Sequence, residues 1–226
     1  MQEKFCYEID AVSQLRDSLS KPRFNTYVKA TNGNEIAAIE LYEWNMRISQ
    51  SMYIYLQMWE IVLRNKLNEF LCWKFNADWP YDERRAVRNL AGREKKKLFD
   101  AIERQQRERS IDKPSTPMIV ADLSAGFWVS LLSAHYVIPF SWRYNMGRIF
   151  PNDKYFNTDS AWPSCNELLI LRNRIAHHEP VFYMPLEALY WELNKAVSGM
   201  CAASSAFAGR LCPFTEIMDA RPQINP

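Results

Sequence analysis

"NEIAAIELYEWNMRISQSMYIYLQMWEIVLRNKLNEFLCWKF", residues 34–75, contains neither glycine nor proline. So long a run without a breaker, and without strict alternation of apolar and polar residues, predicts helix. Its length predicts two helices meeting near Ser49–Ser51 rather than one rod. In the second, Met52, Leu56, Trp59, Leu63, Leu67 and Phe70 recur at spacings of three and four, which marks a buried stripe.

The flanking sequence reads as more helices. Residues 8–18 are amphipathic, and Ser20 before Lys-Pro-Arg reads as an N-cap with proline in the first turn, opening a helix that ends near Gly33. "NADWPYDERR" (76–85) is a break, and a highly charged helix is predicted over 93–109. "DKPSTP" (112–117) is a linker whose prolines stop one helix and cap the next. "MIVADLSAGFWVSLL" (118–132) resumes burial, 139–160 is aromatic and rich in turns, and helices are predicted over 163–178 and 185–210. The expected architecture is all-α: a helical bundle over residues 1–210, a single domain, followed by a flexible C-terminal tail over 211–226.

Composition agrees. The chain of 226 residues is long enough for a full core, and only 6 glycines against 48% apolar and 14% aromatic residues favour helices over turn-rich folds. Five scattered cysteines (Cys6, Cys72, Cys165, Cys201, Cys212) without a C-x-x-C pair fit free thiols in a reducing cytosol and argue against structural zinc. The N-terminal "MQEKFCYEID" has no apolar core of a secretory signal. Residues 123–140, "LSAGFWVSLLSAHYVIPF", reach the length of a membrane span, but three serines, a glycine, His135 and Pro139 suit a buried helix better, so no membrane is expected. The absence of a Gly-rich phosphate loop, H-E-x-x-H and G-x-S-x-G removes the commonest NTPase, metalloprotease and hydrolase readings.

A net charge of +2 does not by itself imply nucleic-acid binding, so distribution matters. Residues 84–109 hold ten Lys/Arg against four Asp/Glu, a local +6 that leaves −4 for the rest of the chain. Such a run is either a solvated helix face or, beside a nucleic-acid site, a phosphate track led by Arg93, Lys95, Lys96 and Lys97.

"SCNELLILRNRIAHHEP" (164–180) carries the chemistry-bearing residues. At about 100° per residue, Leu168, Leu171 and Ile175 share one face, and Leu169, Ile170, Asn173 and His177 lie opposite. With apolar residues on two faces, the helix should be covered on both, and another subunit could supply the second cover. Asn173 and His177 are four apart and can touch, whereas Arg172 and His177 project about 140° apart. Pro180 disfavours helix at Glu179, so the helix should end near His178, with both histidines at the negative end of its dipole. On spacing alone this is either a basic C-terminal turn that satisfies the dipole or a site.

"RNRIAHHEP" (172–180) resembles the signature of the HEPN superfamily: an arginine, a polar residue, then a histidine four to six residues on, here Arg172, Asn173 and His177. Within it the chain is similar to the bacterial Abi-like (abortive-infection) proteins, with further matches in "LYEWNMRIS" (41–49), "WEIVLRN" (59–65), "ADLSAGFWVSLL" (121–132) and "RIFPN" (148–152). The resemblance spans about Ser20 to Tyr183. It implies a HEPN-like bundle with additional N-terminal and intervening helices, often a homodimer, acting in the bacterial cytoplasm as a metal-independent endoribonuclease without cofactors. The implied setting is phage defence or a toxin–antitoxin system, with RNA as substrate and an antitoxin or phage-trigger protein as partner. Some members of the superfamily only bind RNA or partners, which leaves a catalytically inactive binding module as the alternative.

The chemistry is coherent. RNA cleavage without a metal needs a base for the 2′-hydroxyl, an acid for the leaving 5′-oxygen and a cation for the phosphorane. Arg172 suits the last role and His177 proton exchange, with His178 a second candidate. One chain offers one such pair, and a two-fold axis through the Arg172–His177 helix would supply both acid and base. Glu60 and Arg64 have the spacing of an ordinary helix ion pair. The resemblance adds that they, with Asn65, lie near the arginine–histidine helix as a supporting shell. His135, in an apolar run, is expected to be a core histidine, and Trp128, Trp142 and Trp162 to be packing residues.

Overall fold

The computed structural model describes residues 9–223, which form eleven α-helices, three short 3-10 turns and no strand. Cys6 lies outside the described residues. The organising element is not two helices but one: α3 runs unbroken from Glu35 to Lys74, 40 residues, a rod of roughly 60 Å. Ser49–Ser51 does not break it, because each serine has a partner that leaves the helical ladder intact. Ser49 Oγ donates to the Asn45 carbonyl one turn back at 2.6 Å, and buried Ser51 lies 3.4 Å from Cys212 Sγ. Asn34 caps the start, its side chain accepting from Ala37 N at 3.1 Å.

The other helices wrap this rod. α1 (Ile9–Leu19) and α2 (Lys21–Ala30) lie against its first half. Proline in the first turn starts α2 as expected, but Ser20 sits at φ 69 and its hydroxyl makes no cap; the Ser20 carbonyl accepts from Phe24 N instead. The charged helix α4 (Gly92–Arg109) buries Leu98 and Ala101 and packs on α5 (Thr116–Asp122) and α6 (Ala125–Ser130). α6 in turn packs on α3 and on α8 (Ala161–Ala176), and α7 (Trp142–Ile149) closes the far end of α3 through the Phe70–Trp142 ring contact at 4.5 Å.

Three expectations fail here. The apolar run 123–140 is not one buried helix. After α6 it turns through a 3-10 turn at Ala134–Tyr136, which carries His135 outward, exposed and edge-on to Tyr136, rather than into the core. The helix expected over 185–210 is two, α9 (Leu186–Met200) and α10 (Ala202–Leu211), separated by Cys201 in extended conformation. Asn152 explains the stop: its backbone N–H and side-chain amide donate to the Gly199 and Ser198 carbonyls at 3.0 and 3.1 Å, ending the helical ladder. The fit is tight at Gly199, where a Cβ would lie 3.2 Å from Asp153 Cβ and 3.3 Å from the Phe156 ring.

The stretch expected to be a flexible tail contains α11 (Phe214–Asp219), packed on α3. Phe214 stacks on Tyr190 with centroids 4.1 Å apart, Trp44 Nε1 donates to the Ile217 carbonyl at 2.7 Å, and Arg221 donates to the Phe182 carbonyl. Trp128 and Trp142 are core residues as expected, whereas Trp162, in the first turn of α8, stays 39% exposed. Among the described residues no helix is long and apolar enough to cross a membrane.

Candidate functional site

α8 runs antiparallel to the middle of α3, Arg172 lying beside Glu60 and the segment after the helix beside Asn45. Leu168, Leu171 and Ile175 face the core, as the wheel requires. On the other side Leu169 is half-buried against α6, its Cδ2 close to Gly126, while Ile170 remains 48% exposed, together with Asn173 and His177. This outer face of α8 is therefore only partly covered within one chain.

The helix ends one residue before the histidine pair in a Schellman motif. His177 is the cap residue, and His178 takes φ 56 in the left-handed region where glycine is preferred. The backbone N–H groups of His178 and Glu179 return to the Ile175 and Arg174 carbonyls at 3.0 and 2.8 Å. Pro180 follows, as the sequence predicts. Five side chains pin the turn: Arg23 donates to the His178 carbonyl, Arg174 pairs with Glu179 at 3.3 Å and contacts the Tyr183 hydroxyl, and Asn45 Oδ1 accepts from Val181 N and Phe182 N at 2.8 and 3.2 Å.

The structure separates the motif into two environments. Arg172 turns toward α3, where its Nε donates to Glu60 Oε2 at 3.0 Å. Both line a cavity of about 220 Å³ with Tyr53, Gln57 and Arg64. Arg64 Nε is buried there without an acceptor, so two guanidinium groups and one carboxylate leave the depression a net positive charge. Among the described residues no other acceptor takes the terminal nitrogens of Arg172, which leaves the part of the fork that grips phosphate oxygens available. Asn173 and His177 project on the exposed outer face and line neither this cavity nor its neighbour. No hydrogen bond links their side chains; the contact between them is backbone, His177 N to the Asn173 carbonyl at 2.9 Å.

His178, by contrast, lines a larger cavity of about 450 Å³, and Tyr53 is common to both cavities. The two adjoin at Tyr53 and together make up the groove between α3 and the end of α8. Asn65 is exposed on α3 outside it. The basic cluster is further off: α4 packs chiefly on α5 and α6, and α6 packs on α8. Arg93 and Lys96 are exposed, Lys95 is half-buried, and Lys97, 3.9 Å from Glu94, has its ammonium pushed below the ordinary lysine range, first by burial and then by Arg93. Among the described residues no three His, Cys, Asp or Glu side chains are grouped as a metal site would require.

Sequence reasoning missed Asn45 and Tyr53. Asn45 left a signal: a lone amide between Trp44 and Ile48 on an apolar stretch needs partners when buried. Three of the blocks that carry the resemblance meet around α8, through Asn45, through Glu60 and through the packing of α6. Comparison with protein-family models, with curated proteins and with solved structures gives no match to this chain.

Proposed function

We propose that this chain is a metal-independent endoribonuclease of the Abi-like HEPN kind, a toxin of bacterial phage defence or of a toxin–antitoxin system, working in the cytoplasm as a homodimer. The observation that carries the reading is the Arg172 guanidinium, held by Glu60 in a positively charged groove with its terminal nitrogens free, six residues before a rigidly pinned His178 and five before an open His177. In the reaction, a base removes the 2′-hydroxyl proton and the 2′-oxygen attacks phosphorus. The P–O5′ bond breaks, an imidazolium delivers its proton to the 5′-oxygen, and a 2′,3′-cyclic phosphate remains. Arg172 neutralises charge on the non-bridging oxygens.

Because Arg172 and His177 face different environments in one chain, the reading requires a second copy. A two-fold axis against the open Ile170–Asn173–His177 face would bring two such helices together, so that the His177 imidazole of one copy can serve a phosphate held in the groove by the partner's Arg172. The test is incubation of the purified protein with mixed RNA in EDTA, beside Arg172→Ala, His177→Ala and Ile170→Asp. The expected result is cyclic-phosphate ends from the wild type, lost in all three variants, with Ile170→Asp sedimenting as a monomer. Full cleavage by a strictly monomeric protein, or by both Arg172→Ala and His177→Ala, would refute it.

A second reading has its own support: Arg172 and Arg174 both sit in ion pairs, with Glu60 and Glu179, as a purely structural helix terminus would arrange them. A non-catalytic module that binds RNA or a protein partner would keep these pairs. It predicts RNA retention without cleavage in the same assay.

A further inference from the structure

Asn45 is 5% exposed, and the burial of a primary amide requires partners for both of its ends. The oxygen has two, Val181 N and Phe182 N, and two N–H donors fix which end is oxygen. The nitrogen has none within the described residues, yet it is not sealed off, and Asn45 forms part of the wall of the 450 Å³ cavity. A nearly buried N–H pair held rigidly on a cavity wall is a recognition element for an acceptor supplied from outside.

The rest of that cavity defines the acceptor's carrier. Met46 and Tyr53 contribute large exposed surfaces, 57% and 47%, Ile175 forms the apolar side, and Gln50 and His178 stand at the rim. Its volume is in the range of small-ligand sites. Tyr42, Ser49 and Glu179, the last paired with Arg174, also line the cavity, and the apolar surface of Met46, Tyr53 and Ile175 beside the Asn45 amide suits a planar heterocycle bearing ring acceptors. Tyr53 also borders the cationic Arg172–Arg64 depression, so whatever lies on Tyr53 is adjacent to a phosphate-sized anion site. Along α3, Asn45 and Arg64 are separated by 19 residues, roughly 28 Å, with Tyr53 between them, room for a short single strand rather than one mononucleotide.

We propose that the cavity bounded by Asn45, Met46 and Tyr53 is a nucleobase subsite, which holds one unpaired base of the RNA by stacking on Tyr53 and by a hydrogen bond from Asn45 Nδ2. This inference rests on the ribonuclease reading of the adjoining depression. It makes the groove, not the α4 basic cluster, the place where sequence preference arises, because stacking and one directed donor discriminate bases whereas lysines contact only phosphates.

The experiment measures anisotropy of labelled 2′-O-methyl hexamers of A, C, G and U, which cannot be cleaved, on the full chain and on Asn45→Asp, Tyr53→Ala, Met46→Ala and Arg172→Ala. Asn45→Asp keeps an oxygen acceptor for Val181 N and Phe182 N and replaces the amide donor by an anionic oxygen. The wild type is expected to rank the four bases. Asn45→Asp should re-order them, with about a tenfold loss for the preferred base. Tyr53→Ala should weaken all four by about tenfold to a hundredfold, and Met46→Ala by less. Arg172→Ala should weaken all four equally and keep the order.

If Asn45→Asp does not fold, Tyr53→Ala and Met46→Ala, on exposed positions, still decide. RNA bound through Arg172 with affinity and order unchanged in the groove variants overturns the subsite and leaves the ribonuclease reading standing. No binding by the wild type, or binding indifferent to Arg172, overturns both. A dimer that dissociates in Tyr53→Ala identifies the groove as a protein interface and overturns the subsite.

Discussion

His178→Gly separates what the turn after α8 does for the fold from what it does for a substrate. His178 occupies φ 56 with an exposed side chain that makes no hydrogen bond among the described residues, while three bonds hold the turn: His178 N–H to Ile175 O, the His178 carbonyl accepting from Arg23, and the next residue's Glu179 N–H to Arg174 O. Glycine keeps all three. It removes the left-handed penalty of about 1 kcal/mol or somewhat more and gives back roughly 0.5–1 kcal/mol through the freer unfolded chain. The net is a gain of about 0.5 kcal/mol, with zero as the lower bound, or a rise in Tm of about 1–2 °C for a chain of this size. RNA binding and cleavage should fall all the same, because the imidazole on the groove wall is gone. Urea unfolding and the EDTA cleavage assay on one preparation read both quantities. A loss of more than about 0.5 kcal/mol would refute the cap geometry. A stabilised protein with undiminished cleavage would remove His178 from the chemistry and leave His177 alone.

Asn45→Ala should destabilise by about 2–4 kcal/mol, because two buried backbone N–H groups lose their acceptor; chemical denaturation measures the loss. Tyr136, whose buried hydroxyl accepts from Ala91 N at 3.1 Å, has its pKa pushed up to about 12 by burial. The folded state therefore holds this proton more tightly than the unfolded chain: its contribution is complete below pH about 10 and is lost as pH rises toward 12. Alkaline unfolding followed at 295 nm should thus start later in pH for Tyr136→Phe, from a lower neutral-pH stability. Neutralising Arg93, Lys95, Lys96 and Lys97 together should flatten the salt dependence of RNA binding if α4 contacts phosphates, an arrangement that its position across α6 from α8 requires to be a remote one; an unchanged slope restricts phosphate contact to the groove.

Helix content was legible because it is a local property: breakers, caps and periodicity act within a few residues. The starts of α4 and α8 and the end of α8 before Pro180 fall within about two residues of expectation for that reason. The run over 34–75 announced helix, but whether Ser49–Ser51 bends it depends on Cys212, far away in sequence, and on the neighbours that cover the rod. Similarly, α9 ends at Met200 because Asn152 takes its last carbonyls, and residues 214–219 are ordered because Tyr190 and Trp44 receive them.

The site divides along the same line. A one-dimensional wheel gave the angular separation of Arg172 and His177, and it could rank neither histidine, since the left-handed turn that sends His178 into the groove and leaves His177 outside is set by Arg23, Asn45 and the Arg174–Glu179 pair. The amino-acid order alone determined that the protein is helical and which residues could carry charge and protons. Tertiary structure alone decided which of them share a groove, because that depends on hydrogen bonds between residues more than a hundred positions apart, such as Arg172 to Glu60 and Val181 to Asn45.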